Sequence, residues 1–317
     1  MFSGKTMTRN LLRNFHYVAT VILALALIPA FRAAQIPLKM TWKSYFVTYW
    51  WSLGFQSMMA AVVLYAIGFP SEFRKSLTSR VGQRENPLKA ILAILIPSTY
   101  LFAMFVLVFS YNDIIASFRF NGLADVALNQ ADSWILGGLT VSSLARGIPL
   151  RMSKAMEVIY FLLFSQMGAC LILLALRCGR KTAMQFISAI ATAYYLSLII
   201  FYFVPATGPY YLSVLNHDGH YIGLGQRAFV QTLEAMRNHH RPQIVGTDYF
   251  IGLPCLHVTQ PLIALWFVRQ WRRVMVVLMT YCLILFPSIV LLEQHYVIDL
   301  IGGVAVAIIA IAMVGEH

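Results

Sequence analysis

The chain has 317 residues, of which 59% are apolar and only 11% charged, and its mean hydropathy is +0.71; soluble domains carry roughly a quarter charged residues. An ordinary water-soluble fold is therefore excluded. The net charge of +12 does not point to nucleic acid, because the 24 Lys and Arg residues stand in short clusters between apolar runs and form no basic stripe interleaved with base-stacking aromatics.

Taken in order, the apolar runs predict helices near 16–36, 45–69, 90–114, 157–177, 184–206, 255–270, 274–292 and 295–315. Lys5, Arg9 and Arg13 before the first run imitate a signal peptide, but no small-residue cleavage site follows, so a retained first helix is expected. The runs approach the roughly 20 residues that a hydrocarbon core about 30 Å thick requires. No segment alternates with period two as barrel strands do, and backbone groups in lipid must be satisfied internally. The expected fold is an all-α polytopic transmembrane helical bundle. Between the spans lie a basic stretch at 70–89 and two long connections at 115–156 and 207–253. Within the first connection, 133–150 is apolar but short and Gly-rich, which predicts an interfacial or re-entrant piece. Trp50, Trp51 and Trp134 read as interfacial anchors. Cys170, Cys178, Cys255 and Cys282 show no metal-ligand spacing and read as small buried hydrophobes.

With eight spans, the N-terminal cluster, the 70–89 stretch and the turns at Arg177, Arg180, Lys181 and at Arg269, Arg272, Arg273 fall on one side, which the positive-inside rule makes the cytoplasm. Arg32, Lys39 and Lys43 run against that bias. Both long connections would then be external. Compact loops without sorting signals suit a bacterial inner membrane, with the site facing the periplasm.

Ionisable residues at helix mouths in a membrane protein are costly, and each is a functional candidate. Two places stand out: the stretch from Gly252 to His257, where a polar loop meets an apolar helix, and the stretch from Glu293 to Asp299, which opens the last helix. His295 and Asp299 are four residues apart; on a helix they share a face, where the carboxylate can accept from an imidazole N–H and fix its tautomer. His257 could then donate a proton to a leaving oxygen. Either histidine alone would ordinarily be a packed core residue; the set of three, at matching helix mouths, suffices for phosphoryl transfer. A metal site made of the same three side chains is the alternative, though no further ligand at regular spacing accompanies them.

These residues resemble the type 2 phosphatidic acid phosphatase superfamily, whose signature runs K-x6-R-P, then P-S-G-H, then S-R-x5-H-x3-D. Pro254-Cys255-Leu256-His257 stands at the second motif, and Ser288 through His295 to Asp299 at the third. The string His295-Tyr296-Val297-Ile298-Asp299 is similar to the lipid phosphotransferase branch, the sphingomyelin synthases and fungal inositol phosphorylceramide synthases. The resemblance implies that His257 protonates the leaving group while His295, oriented by Asp299, attacks phosphorus. It spans about 90–315, which divides the chain into an N-terminal transmembrane hairpin with a basic cytoplasmic loop (1–89) and a six-helix phosphatase-like core (90–317).

The same resemblance implies a membrane lipid phosphotransferase or phosphatase acting on a lipid- or polyprenyl-linked phosphate through a phosphohistidine, with no cofactor or metal and, in transfer, a hydroxyl acceptor. The chain departs from the signature where Ile289 replaces the third-motif Arg, where Cys255-Leu256 replaces Ser-Gly, and where Glu234 stands at the first-motif Lys position before Arg241-Pro242. These departures favour transfer over hydrolysis. Arg241, with Arg237 one turn earlier, is the expected phosphate donor. Tyr210 and Tyr211, in the proline-rich 204–211 segment, either donate to phosphate or line a lipid cleft, or serve only as interface aromatics. His217, His220, His239 and His240 read as surface residues of the same loop, with a weak metal or headgroup site as the alternative. The rival class is a transporter or lipid-binding membrane protein that keeps the bundle without the chemistry, its His and Asp acting as a proton relay.

Overall fold

The computed structural model describes residues 14–34, 50–73, 87–119, 121–215, 226, 230, 234 and 252–315. The described elements are helices: α1 (Phe15–Ala33), α2 (Trp50–Gly68), α3 (Pro87–Arg119), α4 (Asp125–Ile135), α5 (Val141–Ala145), α6 (Leu150–Phe203), α7 (Pro209–Leu215), α8 (Leu256–Val268), α9 (Arg272–Leu291) and α10 (Val297–Val314). No strand occurs among the described residues. Of these helices α3, α6, α9 and α10 are long and apolar enough to cross a membrane. The all-α bundle expected from the apolar runs is the observed fold class.

Helix α6 is two spans joined at Gly179, whose φ of 79° lies in the left-handed region that glycine tolerates best. Phe105 of α3 touches both Phe164 and Tyr194, each fifteen residues from that glycine, so the two limbs run antiparallel. They form the centre of the core, where Leu174, Phe186, Ile187 and Ile190 are fully buried. Close approach of helices depends on small residues, as in other membrane bundles. A side chain at Gly168 would strike Ser57 Cβ of α2 at 2.6 Å. Leu25, Phe203, Leu283 and Ile308 point outward and are exposed, a distribution that is costly in water and appropriate in hydrocarbon.

The hairpin sorts the connections to two ends. At one end Arg177 pairs with Glu72 and lies 4.2 Å over the Phe69 ring, which itself meets Trp271 edge-on. At the other end, Ala124 N–H donates to the Pro205 carbonyl, Gly252 N–H to Ala206, and Cys255 N–H to Asp299. The connections carrying His257 and His295 meet at this second end.

Two boundaries differ from the sequence expectation. Helix α3 runs on through Tyr111, Asn112 and Asp113 to Arg119, and α6 begins at Leu150, seven residues before the predicted start. Arg151, Lys154 and Glu157 lower the local hydropathy at the start of α6 while remaining good helix formers. The 133–150 piece resolves into the end of α4, a turn with Gly137 and Gly138 at positive φ, and the five-residue α5, neither helix long enough to cross a membrane.

Candidate active site

His257 lies in the first turn of α8, as its second residue and two after the N-cap Cys255. His295 lies in the turn between α9 and α10. There the α9 C-terminus is closed by Leu292 N–H to Ser288 and Gln294 N–H to Ile289. Buried Glu293 carries a φ of 56° in this turn, unusual for a residue other than glycine. Its carboxylate accepts from Ser213 Oγ at 2.7 Å and its carbonyl from Tyr210 N–H at 3.2 Å, so α7 braces the turn.

The two imidazoles meet directly: His257 Nδ1 is 3.1 Å from His295 Nε2. The other nitrogen of His295, Nδ1, is 3.0 Å from the Gly252 carbonyl and 3.4 Å from Asp299 Oδ2. A carbonyl only accepts, so Nδ1 carries a proton and Nε2 is the nitrogen free to lose one. Burial alone would lower the His295 pKa; the Cys255 sulfur and the Asp299 carboxylate outweigh it and raise the value to about 10. His295 is 4% exposed and His257 is half-buried, so the pair opens to the exterior on the His257 side.

The expectation that His295 and Asp299 share a helix face needs correction. Helix α10 starts only at Val297, and Asp299 is its third residue. Its carboxylate folds back to accept from Tyr296 N–H at 2.9 Å. Helix N-termini leave several N–H groups unpaired, and an acidic side chain there satisfies both the donors and the helix dipole. Asp299 therefore reaches His295 from a capping position, and the Gly252 carbonyl is the nearer partner of the ring.

Two further carboxylates were not singled out by sequence. Asp132 of α4 accepts from Val297 N–H at 2.7 Å and Ile298 N–H at 2.9 Å, completing the cap of α10. Asp125, two helical turns earlier, accepts from Gly208 N–H at 2.9 Å, from Thr207 N–H and Oγ1 at 3.1 Å, and from the Tyr296 hydroxyl at 3.2 Å. Burial raises its pKa to about 6, against the lowering effect of those hydrogen bonds. The available signal was an acidic pair seven residues apart in a chain holding only 12 acidic residues. Tyr160 of α6 was also missed; its ring stacks on His257 at 4.4 Å. Gly303 of α10 lets that helix sit against the 255–258 turn, where an added Cβ would lie 3.1 Å from Val258 Cβ. Thr259 donates across the same contact to the Gly303 carbonyl at 2.9 Å.

The remaining sequence candidates lie elsewhere. Arg237 and Arg241 fall outside the described residues. Tyr210 and Tyr211 are buried in α7; Tyr211 donates to Glu234 at 3.2 Å, so the position of the first-motif lysine holds an acceptor for a tyrosine. Ile289, at the place of the third-motif arginine, is packed in an apolar cluster with Leu163, Val258 and Leu285. Trp134 is 87% exposed.

No curated protein and no solved structure matches the chain. The model of the PAP2 superfamily matches residues 138–313, a span that includes Tyr160, the 252–257 turn and the 292–299 turn. That is more than half of the sequence, and the chain belongs to the PAP2 superfamily.

Proposed function

We propose that the chain is a membrane enzyme of the phosphatase or phosphotransferase type acting on a phosphate-bearing substrate, a reading that membership in the superfamily and the long apolar helices support. We propose that it removes or transfers a phosphate-containing headgroup from a lipid or polyprenyl carrier through a phosphohistidine on His295, at the non-cytoplasmic face. The observation that carries this reading is the 3.1 Å contact between His257 Nδ1 and His295 Nε2, with His295 Nδ1 anchored behind it.

A hydrogen bond between two imidazoles holds one proton between two nitrogens. Moving that proton from His295 to His257 leaves a lone pair on Nε2 and an acid beside it. Nε2 then attacks phosphorus, the bond from phosphorus to the lipid oxygen breaks, and His257 protonates that leaving oxygen. In the second half, His257 takes the proton from water or an acceptor hydroxyl, whose oxygen attacks phosphorus and frees Nε2. At 3.1 Å the rings leave no space for a phosphorus atom, so substrate binding must part them. His257 then donates to the leaving oxygen in place of the hydrogen bond that is broken.

The apolar setting of Ile289, at the place of the third-motif arginine, favours transfer to a hydroxyl, since one fixed cation fewer weakens the hold on free phosphate. The clustering of Arg177, Arg180, Lys181, Arg269, Arg272 and Arg273 at the opposite end supports the external placement. The test is an assay of the purified protein with a headgroup-labelled lipid, with and without an alcohol-bearing lipid acceptor. Label appearing on the acceptor is expected; release of free phosphate at the same rate whether or not acceptor is present would overturn the transferase reading.

A further inference from the structure

Cys255 is neither the nucleophile nor the acid of the proposed phosphoryl transfer, yet its buried sulfur lies within 4.8 Å of the ligand nitrogens of both His257 and His295. We propose that these three side chains form a binding site for Zn²⁺, and that zinc occupying it shuts the enzyme off. Zinc prefers four ligands at about 2.3 Å for sulfur and about 2.0–2.1 Å for imidazole nitrogen. A tetrahedron on those bonds sets two nitrogens roughly 3.3 Å apart and sulfur roughly 3.6 Å from each. The imidazole nitrogens are already at 3.1 Å. The sulfur, within 4.8 Å of both nitrogens, has at most roughly 1.2 Å to close, within the reach of a side-chain adjustment.

The outer contacts suit the same ion. Metal-bound histidines usually donate their second nitrogen to a carboxylate or carbonyl, which aims the ring; His295 Nδ1 has both, Asp299 and Gly252. A thiolate ligand selects zinc over magnesium or calcium, which want oxygen. Three protein ligands leave a fourth position for water, on the half-buried His257 side. Binding displaces the thiol proton of Cys255 and the proton shared by the imidazoles, with no change in oxidation state. The Nε2 lone pair and the acidic proton are then both consumed. The inhibition rests on the proposed function; the binding of metal does not.

The test uses the full chain purified in detergent and stripped of metal. Cobalt(II) serves as the probe, because a thiolate ligand gives a sulfur-to-cobalt charge-transfer band and a tetrahedral site gives intense visible bands. One Co²⁺ per chain with both features is expected, displaced by one Zn²⁺. Cys178→Ser, which changes an exposed cysteine at the other end, should keep the band, and Cys255→Ser should lose it and bind zinc at least roughly tenfold more weakly. Turnover should fall at the zinc concentrations that displace cobalt, while Cys255→Ser keeps its own zinc-free rate there. A wild-type spectrum without the charge-transfer band overturns the site, and that reading stands even if Cys255→Ser does not fold. Zinc that raises turnover, or inhibits Cys255→Ser equally, overturns the inhibitory role. A chain that turns over no phosphate-bearing lipid but shows the band defeats the proposed function and leaves the metal site intact.

Discussion

Replacing Asp132 by alanine removes both acceptors that Val297 and Ile298 use, at 2.7 and 2.9 Å, from the start of the helix carrying Asp299. A hydrogen bond to a charged group contributes about 1.5–3 kcal/mol net, and a buried donor left unmet costs about 1–3 kcal/mol. Asp132 is fully buried, but water admitted to the gap recovers part of the loss, so the expected destabilisation is about 2–4 kcal/mol. The functional effect follows from geometry: His295 precedes α10 by two residues, and a misplacement of about 1 Å in a reacting group can cost roughly a hundredfold in rate. Denaturant unfolding in detergent should show the stability loss. Turnover at saturating lipid, measured where the variant is still folded, should fall by roughly tenfold to a hundredfold, with KM less affected. Asp132→Asn keeps one acceptor and should fall between the two. An alanine variant that unfolds and turns over like the parent would refute the claim that this carboxylate sets the start of α10.

Tyr160→Leu removes the ring stacked on His257; such contacts contribute about 0.5–1.5 kcal/mol, so unfolding should be destabilised by about that amount and kcat should drop by up to about tenfold. Gly303→Ala places a Cβ against Val258 and the Cys255 carbonyl, and the overpacking should cost about 1–3 kcal/mol in denaturant unfolding. Asp125 is held at a folded pKa of about 6, above its ordinary 3.8, so the folded state binds the proton more tightly than the unfolded one. Its contribution is therefore most favourable below about pH 4 and declines as pH rises through about 6. The difference in thermal stability between the parent and Asp125→Asn should vary across that window and be flat above it.

The helical bundle was readable because hydrocarbon imposes a length and an apolarity on each span, and even the hairpin in α6 shows as a polar break around Gly179. Boundaries were less readable where polar side chains such as Arg151 and Asn112 continue a helix that hydropathy alone would end. The histidines and Asp299 were legible as costly groups at helix mouths. Their relation was not, because a spacing of four implies a shared helix face only when both residues are helical, and His295 lies before the first turn. Asp125, Asp132 and Tyr160 are distant in sequence from the residues they support, and Cys255 gains significance only from the two rings beside it. Such tertiary relations leave no periodic trace in a single chain.

The most direct measurement is to trap the covalent intermediate. His257→Gln, held at a pH high enough for hydroxide to take the Nε2 proton that His257 otherwise accepts and given a phosphate ester whose leaving group needs no acid, should form the adduct and resolve it slowly. Rapid quenching at alkaline pH and mass analysis should then find one acid-labile phosphoryl group per chain, on the peptide containing His295. Turnover in the parent with no label on His295 in either protein, or label on another residue, would contradict the account.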